Sequence, residues 1–265
     1  MKQEAAIDGI KLKIYDDPTK IADRWLEFEK SAVCSLYQSF YWIETWCRFA
    51  ASHYGEQPLI ILGEHSNGEI AFIWPMAITR CFGISVLSWL GQTYAGYNLG
   101  LYRPDIMAMV GEKELKRFLK EIKLHRPELA AVNFYHQPLE WEGITNPFSL
   151  LPSVPTYENS YMLKLPDNFD IFYKTVVSRK IRQVQRRNEK RLRESGNFIM
   201  DRAKTSEQRL EIHEIFLQQK TLQLKNIGIY NVYRNPGLRQ FTKNLVTNRA
   251  GAFPFDYFFT LLDDK

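Results

Sequence analysis

Apolar and polar residues alternate over Ile10–Tyr15 (IKLKIY), the two-residue period of a half-buried β-strand. Asp16, Asp17 and Pro18 then supply a helix opening, and the spacing onward to Lys30 predicts an amphipathic helix. A second helix is expected after Gln38-Ser39, where Trp42, Trp46 and Phe49 recur at four- and three-residue spacing on one face. A stripe of this kind forms core more often than a ligand box, so Trp42 and Trp46 are assigned to packing. Pro58–His65 and Glu69–Thr79 are apolar runs flanking Ser66-Asn67-Gly68, and an Asn-Gly between such runs predicts a hairpin. Pro75 lacks the N–H that a central strand needs, which places an edge or a bulge there. Ile84–Leu90 predicts a strand leading into a glycine-rich loop, Gly91–Gly100. Glu112–Arg126 is a charged helix with Leu115, Phe118, Leu119 and Ile122 inward, and Ala130–Tyr135 is a strand. The order is β-α-α-β-β-β-α-β.

The pattern lapses from Pro138 to Tyr157, which holds four prolines (Pro138, Pro147, Pro152, Pro155) and no sustained period, as expected of a domain connection. Beyond it Ser160–Leu165 is strand-like, and Asn168–Glu194 predicts one long helix stopped by Ser195-Gly196. Phe198–Ala203 is a strand, Ser206–Lys225 and Pro236–Asn248 are helices, Asp256–Leu262 is a strand, and Asp263-Asp264-Lys265 begins a hairpin turn. The β-α-α-β order thus starts again. The expected fold class is α+β, a mixed β-sheet flanked by helices, repeated in tandem with the second copy incomplete. The domains are 1–137, a connection 138–157, and 158–265 as the N-terminal part of the second.

Composition changes this little: 45% hydrophobic and 25% charged residues exclude disorder and fibrous classes. Three cysteines, Cys34, Cys47 and Cys81, form no C-x-x-C pair and have no histidine at ligand spacing, so a reducing, cytoplasmic setting without a metal is expected. Residues 1–13 lack the apolar core of a signal peptide. The longest uncharged stretch, Cys81–Tyr102, carries four glycines and is a poor membrane span.

Charge changes the picture more. The chain carries +5, and between Arg179 and Glu194 eight basic residues face two acidic ones, a net of +6 that leaves −1 for the rest. On a helix Arg179, Arg182, Arg186, Lys190 and Arg193 share one stripe, and Val177, Ile181, Val184 and Leu192 the opposite one. One reading is a solvated face whose arginine stems cover apolar surface. The other is an anion site, with Arg179, Arg182, Arg186 and Arg187 as phosphate or carboxylate forks for an anionic small molecule, a sugar nucleotide, coenzyme A or an acidic lipid headgroup in peripheral membrane contact. Nucleic acid is disfavoured, because one basic helix is a small footprint and no RNP-like or helix-turn-helix pattern accompanies it.

No H-E-x-x-H, G-x-S-x-G, G-x-x-x-x-G-K-[ST] or G-x-G-x-x-G pattern occurs, so spacing alone names no catalytic residue. The element order resembles the GNAT acyltransferase fold, and more closely the CelD-like, cellulose-biosynthesis-type branch of the Fem-like double-GNAT proteins. The resembling residues are Gln38-Ser39 with Trp42 and Trp46, Asn67-Gly68 before Trp74-Pro75-Met76, Trp89-Leu90-Gly91, Tyr97-Asn98, and Ser178-Arg179-Lys180-Ile181-Arg182 through Arg186-Arg187 to Arg191-Leu192 and Gly196. The resemblance implies N- or O-acyl transfer from acetyl-CoA or another acyl-CoA to a sugar, a polysaccharide precursor or another small acceptor, with Tyr97 and Asn98 in the acceptor pocket and no metal. The family's pyrophosphate loop, [QR]-x-x-G-x-[GA] between a strand and a helix, has one near match, Arg80–Ser85, which ends in serine and runs into a strand. The loop of the second domain would lie beyond Lys265, so the resemblance implies activity only where that part is supplied. The alternative is a non-catalytic anion- or polysaccharide-binding module using the basic helix over 178–194, and the third reading is nucleic-acid binding.

Overall fold

The computed structural model describes residue 7 and residues 9–156, 163, 166–247 and 258–264, with backbone alone for 197, 198 and 258–264. The chain divides into two compact units. One is Met1–Tyr157 with Tyr230–Leu245, and the other is Glu158–Ile229 with Val246–Lys265. The sequence pattern puts 158–265 in a single domain, whereas Tyr230–Leu245 groups with the first unit.

In chain order the elements up to residue 151 are β1 (Lys11–Tyr15), α1 (Ala22–Glu29), α2 (Phe40–Phe49), β2 (Gln57–Glu64), β3 (Ile70–Cys81), β4 (Ile84–Trp89), β5 (Leu101–Tyr102), α3 (Pro104–Met109), α4 (Glu112–His125), β6 (Leu129–Asn133), β7 (Glu140–Trp141) and β8 (Ile144–Thr145). The main sheet runs β1-β2-β3-β4-β6, with β5 paired to β3. Every pairing on that path is antiparallel except β4 with β6, which is parallel and crosses through α3 and α4. The molecule is therefore α+β, with a mixed sheet flanked by helices.

The Asn-Gly hairpin forms between β2 and β3, closed by His65 N donating to Glu69 O at 2.9 Å. Pro75 sits neither on an edge nor at a bulge. It faces Ile60 of β2 in the middle of β3, and the register shift lies at Gly63/Glu64. The reason is a change of partner along the other side of β3. There β5 pairs with Phe72 and Ile73, and β4 begins only at Met76. Pro75 O accepts from Leu90 N on that same side, so the missing proline N–H falls in the gap between two pairings and costs no ladder bond. Phe82 and Gly83, both at positive φ, make the two-residue β3–β4 turn, so the Arg80–Ser85 near match is a hairpin.

One large core cluster joins Trp74 and Met76 of β3, Leu87 and Trp89 of β4, and Phe118 and Ile122 of α4. The segment expected to be a bare connection contributes to it. Asn146 caps the 3-10 turn Pro147–Leu150 by accepting from Phe148 N at 3.2 Å, and Phe148 packs within 5.0 Å of Trp74, Trp89 and Phe134 ring centres.

The later elements are α5 (Phe169–Thr175), α6 (Arg179–Ser195), β9 (Gly196–Arg202), α7 (Ser206–Asn226), α8 (Pro236–Thr247) and β10 (Phe258–Asp264). The single helix expected over Asn168–Glu194 is two. Ser178 is extended and caps α6, its Oγ accepting from Ile181 N at 3.3 Å. Gly196 stops α6 in an extended conformation, not a left-handed one, and opens β9 directly. β9 and β10 pair antiparallel from Gly196↔Asp264 to Arg202↔Phe258, so Asp263 and Asp264 continue the strand and do not begin a turn. The strand expected at Ser160–Leu165 lies outside the described residues apart from Leu163. Among the described residues no helix is long and apolar enough to cross a membrane.

Candidate functional site

Parallel strands bring their carboxyl ends to the same end of a sheet, which is where open α/β sheets place ligand sites. In the first unit the segments leaving β4 and β6, residues 90–100 and 134–143, share that end. The first is fixed at its root by Glu56, which follows the left-handed Gly55 and precedes the fully buried run of β2. Glu56 Oε2 accepts from Trp46 Nε1 at 2.6 Å and from Gly91 N at 3.1 Å. Burial pushes the Glu56 carboxyl up to about 7, and the two donated hydrogen bonds offset only part of the rise. Gly91 is required as glycine. Its φ is +78°, and a Cβ there would lie 2.4 Å from the Trp42 ring.

Asn98 ties the two segments together. Its Nδ2 donates to Gln92 O at 2.9 Å and to Tyr135 O at 3.0 Å, and its backbone N donates to His136 O at 3.0 Å. Both amide hydrogens are thereby used inside the protein, and the side chain is buried. Gln92 and His136 are non-glycine residues at positive φ outside the hairpin turns, and both have their carbonyls held by Asn98. Backbone conformations of this kind cost on the order of 1 kcal/mol each and persist only where the surroundings enforce them. Asn98 is part of that enforcement.

Tyr97 stands beside this brace, half-buried, with its carbonyl accepting from Gln38 Nε2 at 2.8 Å. Its ring centre lies 5.1 Å from Trp141 and 6.3 Å from Tyr37, and both of those rings are also half-exposed. Trp141 is delivered by the β7–β8 hairpin, whose turn residues Glu142 and Gly143 both have positive φ, and its Nε1 donates to Cys34 O at 3.1 Å. Of the two residues expected in an acceptor pocket, Tyr97 is half-buried and Asn98 is buried, its side chain and backbone N bracing Gln92, Tyr135 and His136. The sequence did not point to Glu56, Tyr37 or Trp141, because each is joined to the site by partners remote in the chain. The only local trace of Glu56 is an acidic residue directly before an apolar strand.

The arginines of α6 divide by role. Arg182 Nη1 donates to the carbonyls of Tyr173, at 3.2 Å, Lys174, at 2.8 Å, and Val177, so it caps the C-terminus of α5. Lys190 and Arg193 pair with Glu194 and Glu189. Arg179, Lys180, Arg186, Arg187 and Arg191 are exposed and have no carboxylate partner among the described residues. The opposite face is uncovered too, with Ile181 53% exposed. Arg182→Ala is expected to leave three carbonyls uncapped and cost about 1–2 kcal/mol locally. Hydrogen exchange then rises in Phe169–Thr175 before anything else changes, and unaltered protection there would refute the capping role.

A shallow cleft of about 520 Å³ lies between α1 and the β2–β3 turn. Its arginines are already engaged, Arg24 by Glu64 at 2.8 Å and Arg103 by Glu69 at 2.8 Å and Asp105 at 2.7 Å. No group of metal-ligating side chains forms among the described residues. Burial raises the Cys34 thiol to about 12 and that of Cys47 further, which leaves neither as a ready thiolate. Comparison of the chain with protein-family models, curated proteins and solved structures gives no match.

Proposed function

We propose that the chain is a GNAT-type acyltransferase in tandem arrangement, the exposed arginines of its second unit serving the phosphates of an acyl-CoA donor. The observation that carries this reading is the β1-β2-β3-β4-β6 sheet with one parallel pair at β4 and β6. It follows the β-α-α-β-β-β-α-β pattern on which the resemblance rests. In the second unit β9, α7 and β10 follow one another with β9 and β10 paired antiparallel, which supports the tandem part.

The donor does not fit the first unit. In the resembled fold the thioester lies where the parallel pair splays and the pyrophosphate at the following helix N-terminus. Here Trp89, Phe134 and Phe148 pack together at the ends of β4 and β6, and Asn98 braces the segments beyond. The first turn of α4 carries Glu112 and Glu114, and Glu114 Oε2 already accepts from Gly111 N at 3.1 Å. Two carboxylates at that point repel a pyrophosphate. Of the four arginines expected to hold an anion, Arg182 caps α5, and Arg179, Arg186 and Arg187 of α6 are left for the donor.

The test is calorimetric titration of the chain with acetyl-CoA. Micromolar binding is expected, weakened roughly tenfold or more by the double reversal Arg186→Glu, Arg187→Glu. The uncapped row of exposed cations also favours a second reading, a non-catalytic polyanion-binding module. Absent donor binding together with salt-sensitive heparin binding abolished by the same double reversal would select that reading. A steep salt slope on duplex or single-stranded nucleic acid without sugar-polymer binding would select the third.

A further inference from the structure

We infer that Tyr37, Tyr97 and Trp141 form a binding site for an organic ammonium group at the carboxyl end of the parallel pair. The inference goes beyond acyl transfer and does not depend on it. It starts from three half-exposed rings from three separate parts of the chain, the Tyr97 ring centre lying 5.1 Å from that of Trp141 and 6.3 Å from that of Tyr37. Tyr37 is positioned by a capping box, in which Ser35 Oγ accepts from Tyr37 N at 3.3 Å and Gln38 Oε1 accepts from Ser35 N at 3.1 Å. Gln38 then reaches the Tyr97 carbonyl, and Trp141 is pinned to Cys34. The Tyr37 hydroxyl lies close over Gly96, where a Cβ would come within 2.8 Å of it. These rings are therefore preorganised.

Local charge decides what the rings hold. Across residues 90–100 and 133–146 the only formal charges are those of Glu140 and Glu142. Both are exposed, and Glu142 is near enough to Cys34, the residue that anchors Trp141, to help raise its thiol. Burial is the larger cause there, and Glu29 adds to it. Ring faces of Trp and Tyr attract cations through their quadrupole, and carboxylates beside them add to that attraction while repelling anions. Phosphate ligands suit α6, and ammonium ligands suit this end of the sheet.

An ammonium group could arrive on an amino sugar or on a choline-type quaternary amine, and one titration series separates these sources. Tryptophan fluorescence of the full chain is followed at mildly acidic pH with glucosamine, choline and glucose. Millimolar binding of glucosamine or choline is expected, with glucose weaker by roughly tenfold, and the tighter of the two amines identifies the source. Tyr97→Leu and Glu142→Gln are each expected to weaken amine binding several-fold. Glu142 is exposed, so its variant reads the site without touching the core. Equal binding of glucose and glucosamine, binding untouched by both variants, or no amine binding at all would each overturn the inference. The acetyl-CoA titration is unaffected by any of these outcomes, so the two readings stand or fall separately.

Discussion

Replacing Phe241 by alanine is expected to destabilise the first unit by about 3–5 kcal/mol, although Phe241 belongs to a helix far along the chain from that unit's sheet. Its ring lies edge-on to Trp46 at 4.9 Å and to Trp42 at 5.2 Å, and it is only 4% exposed. Trp42 and Trp46 are stacked on each other at 5.5 Å, so removing Phe241 opens a cavity against two large rings that cannot follow it. The segment is also tightly seated. Asn235 caps α8 by accepting from Gly237 N at 2.9 Å, and a Cβ on Gly237 would lie 2.4 Å from His53. All six tryptophans, from Trp25 to Trp141, lie in the first unit, so denaturant unfolding followed by tryptophan fluorescence reports that unit alone. Leu124→Ala, at a first-unit position 73% exposed, serves as the control and should shift stability by less than about 0.5 kcal/mol. A Phe241→Ala loss no larger than the control's would mean that Tyr230–Leu245 is not part of the first unit's core.

This dependence marks the boundary of what the residues disclosed in order. The aromatic stripe Trp42, Trp46, Phe49 identified both the helix and its buried face, because a 3.6-residue period is a local property. Its partner Phe241 was invisible, since nothing in a local period names the element that covers a face. The β2–β3 hairpin was legible for the same reason as the stripe, its turn needing a left-handed residue that the neighbouring Gly68 supplies at φ +84°. Pro75 misled because the edge-strand rule is statistical, while the cost it summarises is a lost ladder bond. At Pro75 the register had already left that bond unmade. The break between α5 and α6 carried no glycine or proline, and the arginine that stabilises it sits within the following helix, where it read as one more surface cation. At the candidate site, Tyr97 and Asn98 were visible through the glycine-rich loop around them. Glu56 and Trp141 were not, since their roles are set by pairings between distant loops.

Glu56 supplies the second large effect, and its sign follows from burial. Its carboxyl ordinarily titrates at 4.5 and is raised to about 7 in the folded chain, first by desolvation, with the Trp46 and Gly91 hydrogen bonds acting the other way. The folded state therefore binds this proton more tightly than the unfolded state. The contribution to stability is fully present below pH 4.5 and is lost as pH rises through about 7. A shift of that size corresponds to about 3 kcal/mol at neutral to alkaline pH. Glu56→Gln keeps a carbonyl oxygen for both donors and never charges, so it mimics the protonated acid at every pH. The variant should match the parent in stability near pH 4.5 and exceed it by about 3 kcal/mol at about pH 8, and the difference between the two curves cancels every other titrating group. Glu56→Leu, which removes the acceptor, should be destabilised at both pH values by about 1–3 kcal/mol relative to the glutamine variant, because Trp46 Nε1 and Gly91 N then lose their partner in the interior. A parallel pair of curves for parent and Glu56→Gln would show that the carboxyl is already ionised or solvated when folded.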